Sequence, residues 1–336
     1  MDYHGLIFCS EVAAVGQDPR NLARRAKAGQ LVRVRRGVYV DGGTWKGADT
    51  WQRYGLRAEA FNRTVAVAPT FSLQTSGLLW GLALLGCPKD LHVLTSFQQG
   101  GRSLAGVKRH FGSMDARLTE LGEFRTTDKA RTAVELMARL PFAQAVAVAD
   151  SCRRIRVAPA PWADSVAGPE RRALIVDWKR DTPLGPPVSL DELRAAALEL
   201  PSRAKTERAT AVLEFSSDLS ESAGESMSRA NIHILGFRAP ELQHAFSIRG
   251  DVTARTDFYW PRERVVGEFD GRAKYTRTDW ASGSSVEERV LAEKDRENKS
   301  RALGMGFARW NWAEMMDLAR LERILSDAGL RRTSKT

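Results

Sequence analysis

The stretch "DFYWPRERVVGEFDG", residues 257–271, decides what the C-terminal part of the chain can be. "DFYW" and "VVGEFD" are runs rich in aromatic and branched residues, as strands are, and "PRER" (Pro261 to Arg264) between them has a length suited to a hairpin loop. Pairing outward from that loop sets Trp260 opposite Val265, Tyr259 opposite Val266, Phe258 opposite Gly267 and Asp257 opposite Glu268. Side chains alternate along a strand, so Glu268 and Asp270 share a face and Asp257 joins them from across the ladder. Opposed like charges weaken a hairpin by roughly 0.2–1 kcal/mol per pair, so three carboxylates on one small surface make physical sense where a cation or a proton lies among them. A hard divalent ion is the natural candidate, and Mg2+ in particular uses one or two carboxylates, water and substrate phosphate oxygens. Against this, "FDG" is a common strand-to-turn signal, and solvated carboxylates are ordinary on an exposed face.

Working outward, "ESMSRANIHILGFRAP" reads as a helix of about three turns ended by Gly236, with Glu225 in its first turn and Ile232 and Leu235 among its apolar positions. "LQHAFSIRG" adds another β-like segment before the hairpin. Trp310 and Trp312, alternating in "RWNW", read as sheet core. "EKDRENK" carries Lys294, Arg296 and Lys299, residue types that contact phosphate, and Arg296 is the one singled out for that role.

Residues from about 215 to 320 resemble the PD-(D/E)XK nuclease superfamily, and within it the domain similar to very-short-patch-repair endonucleases. The resemblance rests on Glu225 in "GESMSR", Asp257 in "TDFYWP", Glu268 and Asp270 in "GEFDGRAKY", "EKDRENKSRALGMGF" and "ARWNW". It implies a restriction-endonuclease-like α/β/α domain that hydrolyses phosphodiesters, with Mg2+ or Mn2+ held by Asp257, Glu268 and Glu225. Glu225, Asp257, Glu268, Asp270 and Lys274 are the implied catalytic residues. The family pattern has lysine two residues after the second strand acid, where this chain has Asp270; either Lys274 fills that role or Asp270 serves as an extra metal ligand.

The other end of the chain is punctuated differently. In "SEVAAVGQDPRNLARRAKAGQLVRVRRGVYV", Ser10 is the expected cap of a short helix and Gly16 its stop. Asp18 caps a second helix that has Pro19 at its first position and ends at Gly29. "LVRVRRGVYV" then reads as two strands around an Arg-Arg-Gly turn, which together make a helix-turn-helix with a β-hairpin wing. Between Asp18 and Val40 there are seven Arg or Lys residues and one Asp. In such a module the second helix enters the major groove and the wing grips the backbone, so Arg20, Asn21, Arg24, Arg25, Arg33, Arg35 and Arg36 are the expected DNA-contacting residues. "GQLVRVRRGVYV" resembles the N-terminal winged helix of AbiEi-type antitoxins and their actinobacterial relatives. "FSLQTSGLLWGLALL", "DLHVLT" and "TTDKARTAVELMARL" are similar to the segments that follow it there.

Composition fits a DNA partner. The net charge is +10 and the pI about 9.8, and cations that neutralise phosphates gain free energy from counterion release. At 336 residues, 43% hydrophobic and 27% charged, the chain is long enough for several domains and far from the composition of disorder. No apolar run reaches the roughly 20 residues of a membrane span, and the start lacks the basic region of a secretory signal, so a cytoplasmic protein is expected. Three scattered cysteines, Cys9, Cys87 and Cys152, offer neither a disulfide framework nor a CxxC site. His92 reads as a core residue, and the Ser and Thr residues around 72–76 lack the His and Asp of a nucleophilic site.

The expected architecture is α+β and multidomain: a winged helix-turn-helix over 1–45, a mixed α/β domain over 46–155, a linker and helical connection over 156–210, and the nuclease-like domain over 211–330. The expected function is a Mg2+-dependent DNA endonuclease targeted by its winged helix. The alternative is an AbiEi-like transcriptional regulator or antitoxin whose C-terminal domain is non-catalytic and which has a toxin partner. DNA is the partner under both readings, a second copy of the chain is a candidate partner, and a membrane is not.

Overall fold

The computed structural model describes residues 5–96, 106–154, 181, 183–248, 252–271 and 304–333. They build a mixed α+β molecule with three sheets, divided into two units: Met1–Leu136 with Arg156–Pro186, and Met137–Ile155 with Pro187–Thr336.

The first unit opens with β1 (Leu6–Phe8), α1 (Cys9–Ala14), α2 (Arg20–Lys27) and a hairpin of β2 (Leu31–Arg35) and β3 (Val38–Asp41). Asp18 takes the Arg20 amide on its carboxylate at 2.9 Å, and Gly29 ends α2 at φ +74°. Its amide bonds the Ala26 carbonyl and that of Gln30 bonds Arg25, a reciprocal closure that needs a left-handed residue at this point. The expected cap at Ser10 is not made: the N-cap is Phe8, two residues earlier, which is the last residue of β1 and offers no side-chain cap. β1 was not expected from the sequence. It pairs antiparallel with β3 to give the order β1-β3-β2.

A sheet of three short strands cannot bury a core alone. Its missing wall is α4 (Thr50–Thr64), started by a capping box between Asp49 and Gln52. Leu56 and Ala60 of α4 pack with Leu6, Phe8, Val38 and Val40, and burying a residue such as Leu56 contributes about 1.5–3 kcal/mol. The boundary expected at 45/46 therefore cuts through one core, and α4 belongs to both sides of it. On its other flank, Phe61 meets Phe71 edge-on at 6.3 Å, and the Tyr54 hydroxyl bonds Thr75 and the Asp90 carbonyl. These contacts join a five-stranded sheet, β6-β5-β4-β8-β7, formed by β4 (Thr70–Phe71), β5 (Leu91–Thr95), β6 (Val107–Phe111), β7 (Leu118–Leu121) and β8 (Phe124–Thr127). The apolar run 78–85 reads as a helix in the sequence, but α5 spans Leu73–Leu79 ahead of most of it, and α6 (Lys129–Met137) follows β8.

In the second unit α7 (Phe142–Arg153), buried from Ala145 to Cys152, lies against α10 (Ala223–Ile234). The sequence placed α7 in the middle domain; its partner shows otherwise. Asp150, with no exposed surface, holds Arg229 of α10 in a 2.8 Å ion pair and accepts the Ser217 amide. α8 (Leu190–Leu198) and α9 (Arg203–Phe215) pack beside them, α9 running across the end of the linker and helical connection expected over 156–210. α10 covers a sheet of order β12-β11-β10-β9, formed by β9 (Glu241–Ile248), β10 (Val252–Trp260), β11 (Val265–Asp270) and β12 (Gly306–Asn311). The hairpin register is the one read from the sequence: Phe258↔Gly267, Tyr259↔Val266 and Trp260↔Val265. Trp310, fully buried, donates its indole N–H to Ser228 of α10 at 2.8 Å. α11 (Trp312–Met316) and α12 (Leu318–Asp327) complete the unit. The segment with "ALIVDW" and "EKDRENK" lies outside the described residues, as do Lys274 and Arg296.

Candidate nucleic-acid interface and carboxylate cluster

α2 buries Leu22 and turns Arg20, Asn21, Arg24, Arg25 and Lys27 to solvent. Arg24 donates to the Asn21 side-chain oxygen, and the Arg25 Nε donates to Gln30 Oε1 at 3.4 Å. Beside the helix an open cleft of about 510 Å³ has a floor of Ile7, Val12 and Leu22 and a rim that includes Asn21, Arg24 and Arg25. On the hairpin, Arg33 and Arg36 are exposed. Arg35 is not with them. A bulge between Arg33 and Arg35 re-aims it, its guanidinium stacks 4.7 Å over the Phe61 ring, and burial lowers its pKa. Arg35 is therefore corrected from a DNA contact to a packing residue that ties the hairpin to α4.

The carboxylates of the second unit sit at the end of α10 and across β10 and β11. Glu225 is the third residue of a Ser-x-x-Glu start: Ser222 Oγ accepts the Glu225 amide at 3.2 Å and donates to Glu225 Oε1 at 2.8 Å. Glu225 Oε2 accepts from the Glu221 amide and from Gln243 Nε2, each at 2.9 Å. Burial pushes its pKa up to about 7, the negative charge of Asp257 adds to the rise, and Ser222, Arg154 and Gln243 oppose it. A carboxyl at a helix N-terminus is ordinarily favoured in its charged form; here desolvation wins.

The other three acids lie on β10 and β11. Asp257 Oδ2 accepts the Phe269 amide at 2.9 Å, taking a main-chain donor of β11. Glu268 lies beside Arg309 in the parallel β11–β12 register and pairs with it at 2.9 Å. Asp270 is in register with Asn311. The expectation that Asp257, Glu268 and Asp270 converge is not met by a shared contact among them: Glu268 pairs with a neighbouring arginine. Among the described residues no three His, Cys, Asp or Glu side chains come close enough together to hold a metal ion, so the donor set for Mg2+ or Mn2+ is not assembled by these side chains. The sequence held both unread signals. Ser222 and Glu225 have capping-box spacing, and Arg309 alternates with the core tryptophan of "ARWNW".

In the first unit Thr75 and Ser76 are held in buried hydrogen bonds. Ser76 Oγ is bonded by Thr126, Thr127 and Thr132 within a fully buried network. His92 is buried and stacks on His110, with Nδ1 and Nε2 2.9 Å apart. Cys152 is buried, and Cys9 and Cys87 are half-buried. Among the described residues no helix is long and apolar enough to cross a membrane.

A family model described as "Transcriptional regulator, AbiEi antitoxin" matches residues 1–40, so the N-terminal region is AbiEi-like. No curated protein matches the chain. Among solved structures it is similar to the RV2827C protein from Mycobacterium tuberculosis, with a TM-score of 0.38 and 12% identity over 66% of this chain and 75% of that chain. That likeness is too remote to transfer a fold or a role.

Proposed function

We propose that the chain is a DNA-binding regulator of the AbiEi antitoxin kind, with its first 40 residues folded as a winged helix-turn-helix and a toxin as its protein partner. One coincidence carries this reading: the segment matched by the antitoxin family model is the segment that exposes Arg20, Arg24, Arg25, Lys27, Arg33 and Arg36 on α2 and its hairpin. Each of these that neutralises a phosphate displaces about 0.9 of a counterion from duplex DNA, so affinity falls steeply with salt. The basic balance of the whole chain, +10, adds long-range attraction to any phosphate backbone. Anisotropy titrations of a labelled duplex across a salt series test the reading. Arg24→Ala combined with Arg25→Ala lowers affinity and flattens the log–log salt dependence. Unchanged affinity and slope remove α2 from DNA contact.

A second reading, metal-dependent cleavage of DNA by the second unit, is favoured by one observation: a buried glutamate with a raised pKa lies near Asp257, and groups so perturbed cluster at functional sites. It requires Glu268 to exchange Arg309 for an ion. Supercoiled plasmid incubated with the protein and Mg2+ or Mn2+ separates the two. Intact plasmid supports the regulator, and relaxation that disappears in Asp257→Asn replaces it with the nuclease.

A further inference from the structure

We propose that Arg24 reads a guanine through its major-groove edge and that Asn21 is the residue that positions it, whereas Arg33 and Arg36 hold phosphates. The inference rests on the DNA-binding reading and assigns roles within it. At about 100° per residue, the buried stripe of α2 is set by Leu22 and half-buried Ala26; the Arg24 backbone position is opposite that stripe, and its side chain leans toward Asn21 at the rim of the cleft. Arg20 and Lys27 lie to one side of it, about 40° and 60° away, Asn21 lies about 60° to the other side, and Arg25 is nearer the buried stripe. An arginine that projects straight out of a helix is the one that reaches the floor of the groove; those at the edges meet the groove walls, where the phosphates are.

The hydrogen bonds sort the same residues independently. Arg24 is tied to Asn21 one turn back, so one N–H of the guanidinium is spent and the remaining fork is held in place. A fixed planar fork matches the O6 and N7 acceptors of guanine, and fixing it beforehand removes rotamer entropy that a free arginine loses on binding. Arg25 is drawn the other way, to Gln30 at the foot of β2. Asn21 gives one lone pair of its oxygen to Arg24, which makes it a partner of that arginine. Arg33 and Arg36 are exposed on the hairpin, away from the helix axis.

The test uses the full chain. Duplexes are selected from a random library by wild-type protein, and each guanine of the selected site is replaced in turn by 7-deazaguanine, which removes N7 and leaves base pairing intact. The expected result is one guanine whose replacement weakens wild-type binding roughly five- to tenfold and leaves Arg24→Ala indifferent. Asn21→Ala loses the same discrimination with an unchanged salt slope, and Asn21→Gln, which keeps the amide oxygen, restores it. Arg33→Ala and Arg36→Ala each weaken all duplexes alike and lower the salt slope by about one. Discrimination that survives Arg24→Ala, or selection that yields no preferred guanine, overturns the assignment while DNA binding stands. Absence of any salt-dependent binding by the wild type refutes the regulator reading itself.

Discussion

Replacing Glu225 with glutamine turns the strongest electrostatic conflict of the second unit into a measurable stability. The side chain is 9% exposed, and its folded pKa of about 7 stands against an ordinary 4.5. Below pH 4.5 both the folded and unfolded chains are protonated at this group. Between 4.5 and 7 the folded chain keeps a proton that the unfolded chain has released, so stability falls as pH rises, and above 7 the loss is complete. At about 1.4 kcal/mol per pH unit the whole loss is about 3 kcal/mol. Glutamine imitates the protonated acid: its oxygen accepts from the Glu221 amide and Gln243, and its NH2 takes the place of Oε1, so that Ser222 Oγ, which donates to the carboxylate, turns to accept, as it does when a proton sits on Oε1. Glu225→Gln is therefore expected to exceed wild type by about 3 kcal/mol at pH 8.5, with the gap closing toward pH 4.5. Urea unfolding followed by tryptophan fluorescence reads it, since Trp260 and Trp310 of this unit are fully buried and become exposed on unfolding. A variant less stable than wild type at pH 8.5 refutes the reasoning, because the carboxylate would then be stabilised by Ser222, Arg154 and Gln243 more than burial opposes it. Adding Mg2+ at pH 8.5 extends the test: an ion held by Glu225 and Asp257 raises the stability of wild type alone.

Two further substitutions probe the packing that frames this site. Asp150→Asn strips the partner from a buried guanidinium and is expected to lower stability by about 3–5 kcal/mol in the same urea titration; a loss below about 1 kcal/mol would mean that the Arg229 bonds to the Phe215 carbonyl suffice. Gly224→Ala drives a methyl into the Phe269 ring, since α10 and β11 touch there with no room for a Cβ. The loss expected is at least the 1–3 kcal/mol of ordinary overpacking, and Phe269→Ala in the same chain recovers part of it; additive losses contradict the contact.

What the sequence made legible follows from how local the cause is. Gly29 and Asp18 act within one helical turn, and the "PRER" loop fixes its hairpin register by its own length, so these could be read directly. The partnership of β1 with β3, the wall that α4 gives to the first sheet, and the pairing of α7 with α10 depend on residues far apart in the chain. No periodicity announces them. The candidate sites divide in the same way. The exposed arginines of α2 were visible from helix spacing, whereas Arg35 left that set through a bulge and a ring contributed by α4. Glu268 was placed on its strand correctly, but its counter-charge came from a parallel neighbour 41 residues further on.

The double duty of α4 sets the smallest piece of this protein that can stand for its N-terminal end. The forty residues matched by the antitoxin family model stop before Leu56 and Ala60, so as a fragment they present Leu6, Phe8, Val38 and Val40 to water on one face. Because the opposite flank of the same helix carries Tyr54 and Phe61 into the five-stranded sheet, a disturbance of either sheet is felt by the other through a single rigid rod. The folding of the three-stranded sheet and that of the five-stranded sheet are therefore coupled through α4.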